Sequence, residues 1–311
     1  MTGVTRRQLL LGTVAAGAAP LLPHRIRTQQ SHTRLILLGT GGGPTPKKTV
    51  SATATLIIVN DTPYVIDCGD GVARQWVLAG VSLLKLRHIF ITHQHSDHNA
   101  DYGNLILLAW ATGLATRVDT WGPPPLVKMT KLFLELNAYD IQIRIKDEGR
   151  LPLKPLVHPH EFQQGGLVVR DENVKVTAAL VDHPLVSPAF AYRFDAPDRS
   201  VVISGDTARS DNLVALARGA DVLVHEAMWL PAVDAIVARN PNASTLKKHL
   251  LDSHTAAEDC GKVAAAAGVK TLVLSHFVPG GDASITDQMW MDSASKYFRG
   301  RVIVGKDLME I

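Results

Sequence analysis

The chain is poor in several things at once, and each shortage excludes a class of protein. Cysteine occurs only at Cys68 and Cys260 in 311 residues, too few for a disulfide framework. Cys68 follows a strand pattern and Cys260 lies in a helix pattern far along the chain, so two buried free thiols are expected rather than a bridge. No repeat and no low-complexity tract is present, which removes solenoids and disordered arrays. The glycine-rich run Gly39-Thr40-Gly41-Gly42-Gly43 is not followed by Gly-Lys-Ser/Thr, so it is not a nucleoside-triphosphate loop. Its glycines permit tight turns and close approach to a ligand. No Asp or Glu occurs before Asp61.

That acid-free start has its own pattern. Arg6 and Arg7 lead into Leu9, Leu10 and Leu11, and a small-residue run follows at 15–19. A charged start, an apolar middle and a small-residue end describe an export signal, here of the twin-arginine type. The apolar middle is too short for a standard spanning helix, so no stable membrane insertion is expected. The reading is residues 1–30 as export signal and linker, 31–311 as one α/β domain, and an exported, periplasmic or secreted product. The formal charge of +3 falls to +1 without Arg6 and Arg7, and to −1 without Arg25 and Arg27 as well. A near-neutral mature chain argues against nucleic acid as a partner.

What is present in abundance is histidine at strand ends. His93-Gln94-His95-Ser96-Asp97-His98 follows an apolar strand-like run at 86–91. In extended chain, residues two apart point to one side, so His93 and His95 can reach one ion, and Asp97 and His98 a second. Imidazole nitrogen and carboxylate oxygen suit Zn²⁺. Downstream, His183, Asp206 and His276 also stand at or just after predicted strand ends. Asp67 ends a strand before Cys68-Gly69-Asp70-Gly71. His254 precedes a helix whose Thr255 and Glu258 have capping-box spacing. His158 and His160 form a second HxH, but Pro155 and Pro159 argue for a surface loop. The segment 137–166 shows no clean period.

The HxHxDH run resembles the metallo-β-lactamase superfamily. DHP at 182–184, SGDT at 204–207, HEA at 225–227, SHT at 253–255 and SHF at 275–277 resemble its ribonuclease Z branch. LLGTGGGPTP, ITHQHSDHNADYGNL and the closing VIVGKDLMEI are most similar to that branch's arylsulfatase-type members. The resemblance covers nearly everything after residue 34. It implies a four-layer αββα sandwich with two Zn²⁺ at one edge of the two sheets; Mn²⁺ or Fe²⁺ would suit the same donors. It implies His93, His95 and His183 on one metal, Asp97, His98 and His276 on the other, and Asp206 bridging. Asp67 would brace the metal loop. His254 would donate a proton, with Glu226 fixing its orientation and charge; Asp97 counts among the catalytic groups too.

The expected activity is hydrolysis of a small aryl sulfate or phosphodiester, with a metal-activated water as nucleophile and His254 as general acid. A lactonase or carboxylic ester hydrolase is the alternative. A transfer-RNA 3′-processing endonuclease and a non-catalytic metal-binding protein rank lower. The transfer-RNA reading is set aside because only residues 184–205 separate His183 from Asp206, where that branch usually carries an arm for the RNA. A homodimer is left open.

Overall fold

The structure is a computed structural model and describes residues 32–311. The expected export signal lies outside them. Among the described residues, no helix is long and apolar enough to cross a membrane.

The strands are β1 (Thr33–Gly39), β2 (Ala54–Val59), β3 (Thr62–Ile66), β4 (His88–Phe90), β5 (Val118–Gly122), β6 (Val157–Glu161), β7 (Gly166–Arg170), β8 (Lys175–Leu180), β9 (Phe190–Asp195), β10 (Ser200–Ile203), β11 (Val222–Met228), β12 (Thr271–Val278), β13 (Arg301–Val304) and β14 (Met309–Glu310). The helices are α1 (Val72–Leu78), α2 (Ser96–Asn99), α3 (Tyr102–Thr112), α4 (Leu126–Leu136), α5 (Ala138–Glu148), α6 (Asp211–Leu216), α7 (Val233–Ala238), α8 (Leu246–Ser253), α9 (Ala257–Ala267) and α10 (Asp287–Ser295). One sheet runs β14-β1-β2-β3-β4-β5-β6 and the other β13-β12-β11-β10-β9-β8-β7.

Three apolar layers hold these sheets in a four-layer sandwich. In β1, Leu35 and Leu37 face the layer between the sheets, with Phe90, Phe190, Tyr192 and Phe194. Ile36 and Leu38 face the opposite way, onto Trp76, Leu105 and Trp110 of α1 and α3. The period of two puts alternate residues on opposite faces. Both faces are covered, so the strand reads as one apolar run. The third layer packs α6, α9 and α10 onto the second sheet through Leu213, Cys260, Val263 and Trp290. Cys68 and Cys260 are both free and buried.

The pairing also fixes where a site can form. From β3 to β6, and again from β10 to β13, neighbouring strands run parallel. Their carboxyl ends gather at one rim of the sandwich, where open α/β sheets generally bind ligands.

Three expectations differ locally. The segment 137–166, without a clean period in the sequence, holds α5 and the edge strand β6, so His158 and His160 are not in a surface loop. His158 and His160 lie in β6, where their Nε2 atoms meet Pro155 O at 3.0 Å and Asp119 Oδ1 at 2.7 Å. Pro159 is tolerated in β6 because an edge strand needs only one row of ladder bonds. The capping box at Thr255 and Glu258 does not form. The buried Thr255 hydroxyl donates to Thr207 O at 2.6 Å, and Glu258 meets Lys262 and Lys296 at 3.1 and 3.2 Å. The strand before the histidines stops at Phe90, so His93 sits in a bend, while His95 is the extended residue that opens α2.

Candidate metal centre

The bend has a definite cause. Asp67, with φ of 62°, ends β3 and turns its carboxylate under the next loop. Its Oδ1 accepts the Thr92 N–H at 2.8 Å, and its Oδ2 accepts the Thr92 hydroxyl at 2.9 Å. Oδ2 also lies 2.8 Å from His98 Nδ1. That contact places the proton on Nδ1 and leaves the Nε2 lone pair facing the cluster. The one-turn helix α2 follows, carrying buried Asp97 and His98.

The second sheet supplies the opposite wall. His183 follows β8, and Asp206 follows β10 after Gly205. At Gly205 φ is +61°, and a Cβ would stand 2.7 Å from Phe190 O, so only glycine makes this turn without strain. His276 lies inside β12 at an irregular register: Glu226 pairs with Ser275, and Ala227 with Phe277. His276 is thus the extra residue of a bulge, with φ of 43°, and bulges re-aim side chains in this way. Its ring lies against the glycine-rich turn, where a Cβ on Gly42 would be 2.6 Å from Cε1 and Nδ1. The N–H of Gly43 donates to Asp97 Oδ2 at 2.7 Å.

The seven side chains converge in two groups joined by Asp206. In the first, His93 Nε2 and His183 Nε2 lie 3.1 and 3.2 Å from His95 Nδ1, and Asp206 Oδ2 is 3.8 Å from His93 Nε2. In the second, His98 Nε2, His276 Nε2 and Asp97 Oδ2 cluster at 3.2–3.7 Å. Asp206 Oδ1 stands 3.2 Å from both ring nitrogens of that group. Yet this buried oxygen accepts no hydrogen bond: the atoms point at a common centre rather than at one another. Two donors on a tetrahedral ion at 2.0–2.1 Å are about 3.3 Å apart. The observed spacings fit a divalent metal site.

The electrostatics agree. Burial, then the neighbouring rings, drive His93 well below the usual imidazole range, and burial brings His183 down to about 3. Both are lone-pair donors. Asp206 and Asp97 remain carboxylates: burial opposes their charge, but the surrounding histidines hold both below the usual range.

His254 stands beside this centre, at the junction of α8 and α9. Its Nδ1 is 3.4 Å from Glu226 Oε1 and 3.8 Å from Asp206 Oδ2. Glu226 Oε1 is itself held by the Thr255 N–H at 2.8 Å. Burial disfavours the imidazolium, but the Glu226 carboxylate outweighs it and pushes His254 up to about 9. His225, the neighbour of Glu226, is turned away: its Nδ1 meets Glu226 O at 2.7 Å.

Sequence reasoning missed His249. It lies on α8, and its ring centre is 5.7 Å from those of His95, His183 and His254. A third histidine just before His254 was its only signal in the sequence.

Residues 62–277 match the β-lactamase superfamily domain. The ribonuclease Z of Mycobacterium bovis is 32% identical over 280 residues, 89% of this chain and 97% of the relative. This chain belongs to the β-lactamase superfamily, with ribonucleases Z as its relatives. The ribonuclease Z of Mycobacterium avium is 33% identical over 278 residues, 88% of this chain and 96% of the relative. Among solved structures, human tRNase Z, short form, has a TM-score of 0.65 at 22% identity, over 89% of this chain and 98% of its own. The metallo-β-lactamase fold protein YhfI of Bacillus subtilis has the same TM-score at 20% identity, covering 90% and 98%. These two show the fold alone.

The relatives correct the substrate assignment. They do not support the arylsulfatase-type branch, and they overturn hydrolysis of an aryl sulfate or lactone and the exclusion of nucleic acid. Ribonuclease Z relatives match this chain along 97% of their own length, so the short span between His183 and Asp206 does not exclude that family. Net charge, moreover, says nothing of local charge. Lys47 lies close enough to Asp97 to feel its charge, while Arg209 lies three residues from Asp206 and is exposed with no partner among the described residues. The twin-arginine export reading rests on residues 1–30, which lie outside those described, and the relatives leave it untested.

Proposed function

We propose that the chain is a metal-dependent endonuclease that cuts a phosphodiester bond at the 3′ side of a precursor transfer RNA. The observation that carries this is Asp206 joining two histidine groups beside the His254–Glu226 pair, in a chain 32% identical to ribonuclease Z over nearly its whole length. His93, His95, His183 and one Asp206 oxygen would hold one ion. Asp97, His98, His276 and the other Asp206 oxygen would hold a second. Our reading is two Zn²⁺, with Mn²⁺ or Fe²⁺ suited to the same donors. Such a pair supplies an acidified water and charge neutralisation at the phosphoryl oxygens.

The protein's own groups do the rest. Asp67 keeps His98 in the tautomer that offers Nε2. Gly43 N–H takes one lone pair of Asp97 and fixes that carboxylate. His254 keeps Nδ1 toward Glu226, which leaves Nε2 to hold a proton for the departing oxygen. A ribose oxygen leaves as an alkoxide, the kind of leaving group that needs that proton most. The exposed cations Lys48 and Arg209 can contact backbone phosphates.

The test is incubation of metal-loaded protein with a transcribed precursor transfer RNA carrying a 3′ extension. A single metal-dependent cut beside the extension is expected. Full metal content with the precursor left intact, and an activated phosphodiester still hydrolysed, would refute the ribonuclease reading.

A further inference from the structure

We propose that His249 contacts the substrate, donating a hydrogen bond from Nε2 to a non-bridging oxygen of the phosphate at the metal centre. The proposal deepens the phosphodiesterase reading above and rests on it. His249 is half-buried on α8. Its ring centre stands 5.7 Å from those of His95, His183 and His254. His183 and His254 are themselves 6.0 Å apart, so the rings of His183, His249 and His254 enclose one small space beside the first metal group, wide enough for a phosphate oxygen to meet more than one of them. It is no ligand itself, since it belongs to none of the groups of converging donors among the described residues.

The ring is also held. Nδ1 faces the hydroxyl of buried Ser253 at 3.3 Å. No hydrogen bond occupies Nε2 among the described residues. From ring centre to an accepted oxygen is about 4 Å, so two rings 5.7 Å apart can meet on one phosphate. An imidazole N–H aimed at a phosphoryl oxygen is a charge-assisted bond. The neighbouring cations do not duplicate it: Lys247 is paired with Asp234 and Lys248 with Asp252.

Inorganic phosphate is the probe, because its binding does not depend on which ester is cut. Its Kd is measured calorimetrically on metal-loaded wild type, His249→Ala and His249→Gln, with metal content read in parallel. Loss of one hydrogen bond to a charged group should raise Kd about tenfold or more in His249→Ala. His249→Gln, which keeps an N–H donor, should recover part of that. All three should hold the same metal content. The proposal is overturned by equal phosphate affinity in the three proteins, by metal loss in His249→Ala, or by metal-loaded wild type that binds no phosphate. Precursor RNA is a separate arm. If wild type leaves it uncut while His249→Ala still weakens phosphate binding, the ribonuclease reading fails and the contact stands.

Discussion

Replacing Glu226 with Gln removes one charge and almost no volume, and its consequence can be worked through. His254 sits at about 9 because the Glu226 carboxylate overcomes the effect of burial. Without that charge, burial returns the imidazole to its ordinary 6.5 or below. At pH 7.5 the protonated fraction would drop from nearly all to about one tenth, a loss of about tenfold in any step that needs the proton. Bound cations on Asp206 and Asp97 cancel their smaller contributions, so the loaded protein's basic limb starts somewhat below 9 and moves lower in the variant. The sign is fixed: activity on a ribose leaving group falls as pH rises through the His254 value. The same pair links stability to pH. Its contribution is complete below about 6.5, and is lost as pH rises toward 9. The amide brings a second cost. Glu226 Oε2 is buried without a partner, and an amide N–H₂ placed there would be unsatisfied, at about 1–3 kcal/mol. The assay is a pH–rate profile on an unactivated phosphodiester, with metal content measured throughout. A basic limb that stays where it was in Glu226→Gln would refute the assignment.

Three further outcomes are expected. Metal analysis should give near two equivalents per chain, and chelation should abolish cleavage and lower the unfolding temperature; a firm single equivalent would contradict the two-group geometry. Asp67→Ala removes the partner of His98 Nδ1 and should weaken metal affinity about 10- to 100-fold, read by competition with a chelating dye; unchanged affinity would leave Asp67 without the bracing role. Gly42→Ala puts a methyl 2.6 Å from the His276 ring, so it should lose the ion of the second group while keeping the first, and full occupancy of both would count against His276 as a ligand.

Much of the centre was legible because its chemistry is concentrated in short motifs. The two groups of converging side chains hold the seven residues picked from the sequence. The layered fold was legible for a related reason, since strands such as β1 are apolar on both faces and can only lie between two covers. What escaped notice depends on tertiary neighbours. α8 is short and follows Asn240, Pro241 and Asn242, so its helical pattern is weak, and nothing local says that His249 faces His95 and His183. The edge strand β6 was hidden by Pro159 within it and Pro155 just before it. Thr255 fits a capping box by spacing, but burial sent its hydroxyl to a carbonyl in the opposite strand connection. The substrate was misjudged because it is set by surface and by ancestry, while the motifs record only the reaction centre.

The two sheets divide the chain almost cleanly, and the division runs through the centre. Residues before the β6–β7 link carry His93, His95, Asp97 and His98; those after it carry His183, Asp206 and His276. Neither portion holds either of the two groups joined by Asp206 complete. A nascent chain therefore has no finished centre until β12 emerges and closes on the first sheet, with β14 returning to pair with β1 behind it. Cut at that link, the protein becomes a two-part reporter of its own assembly, with metal capture as the signal that the halves have met.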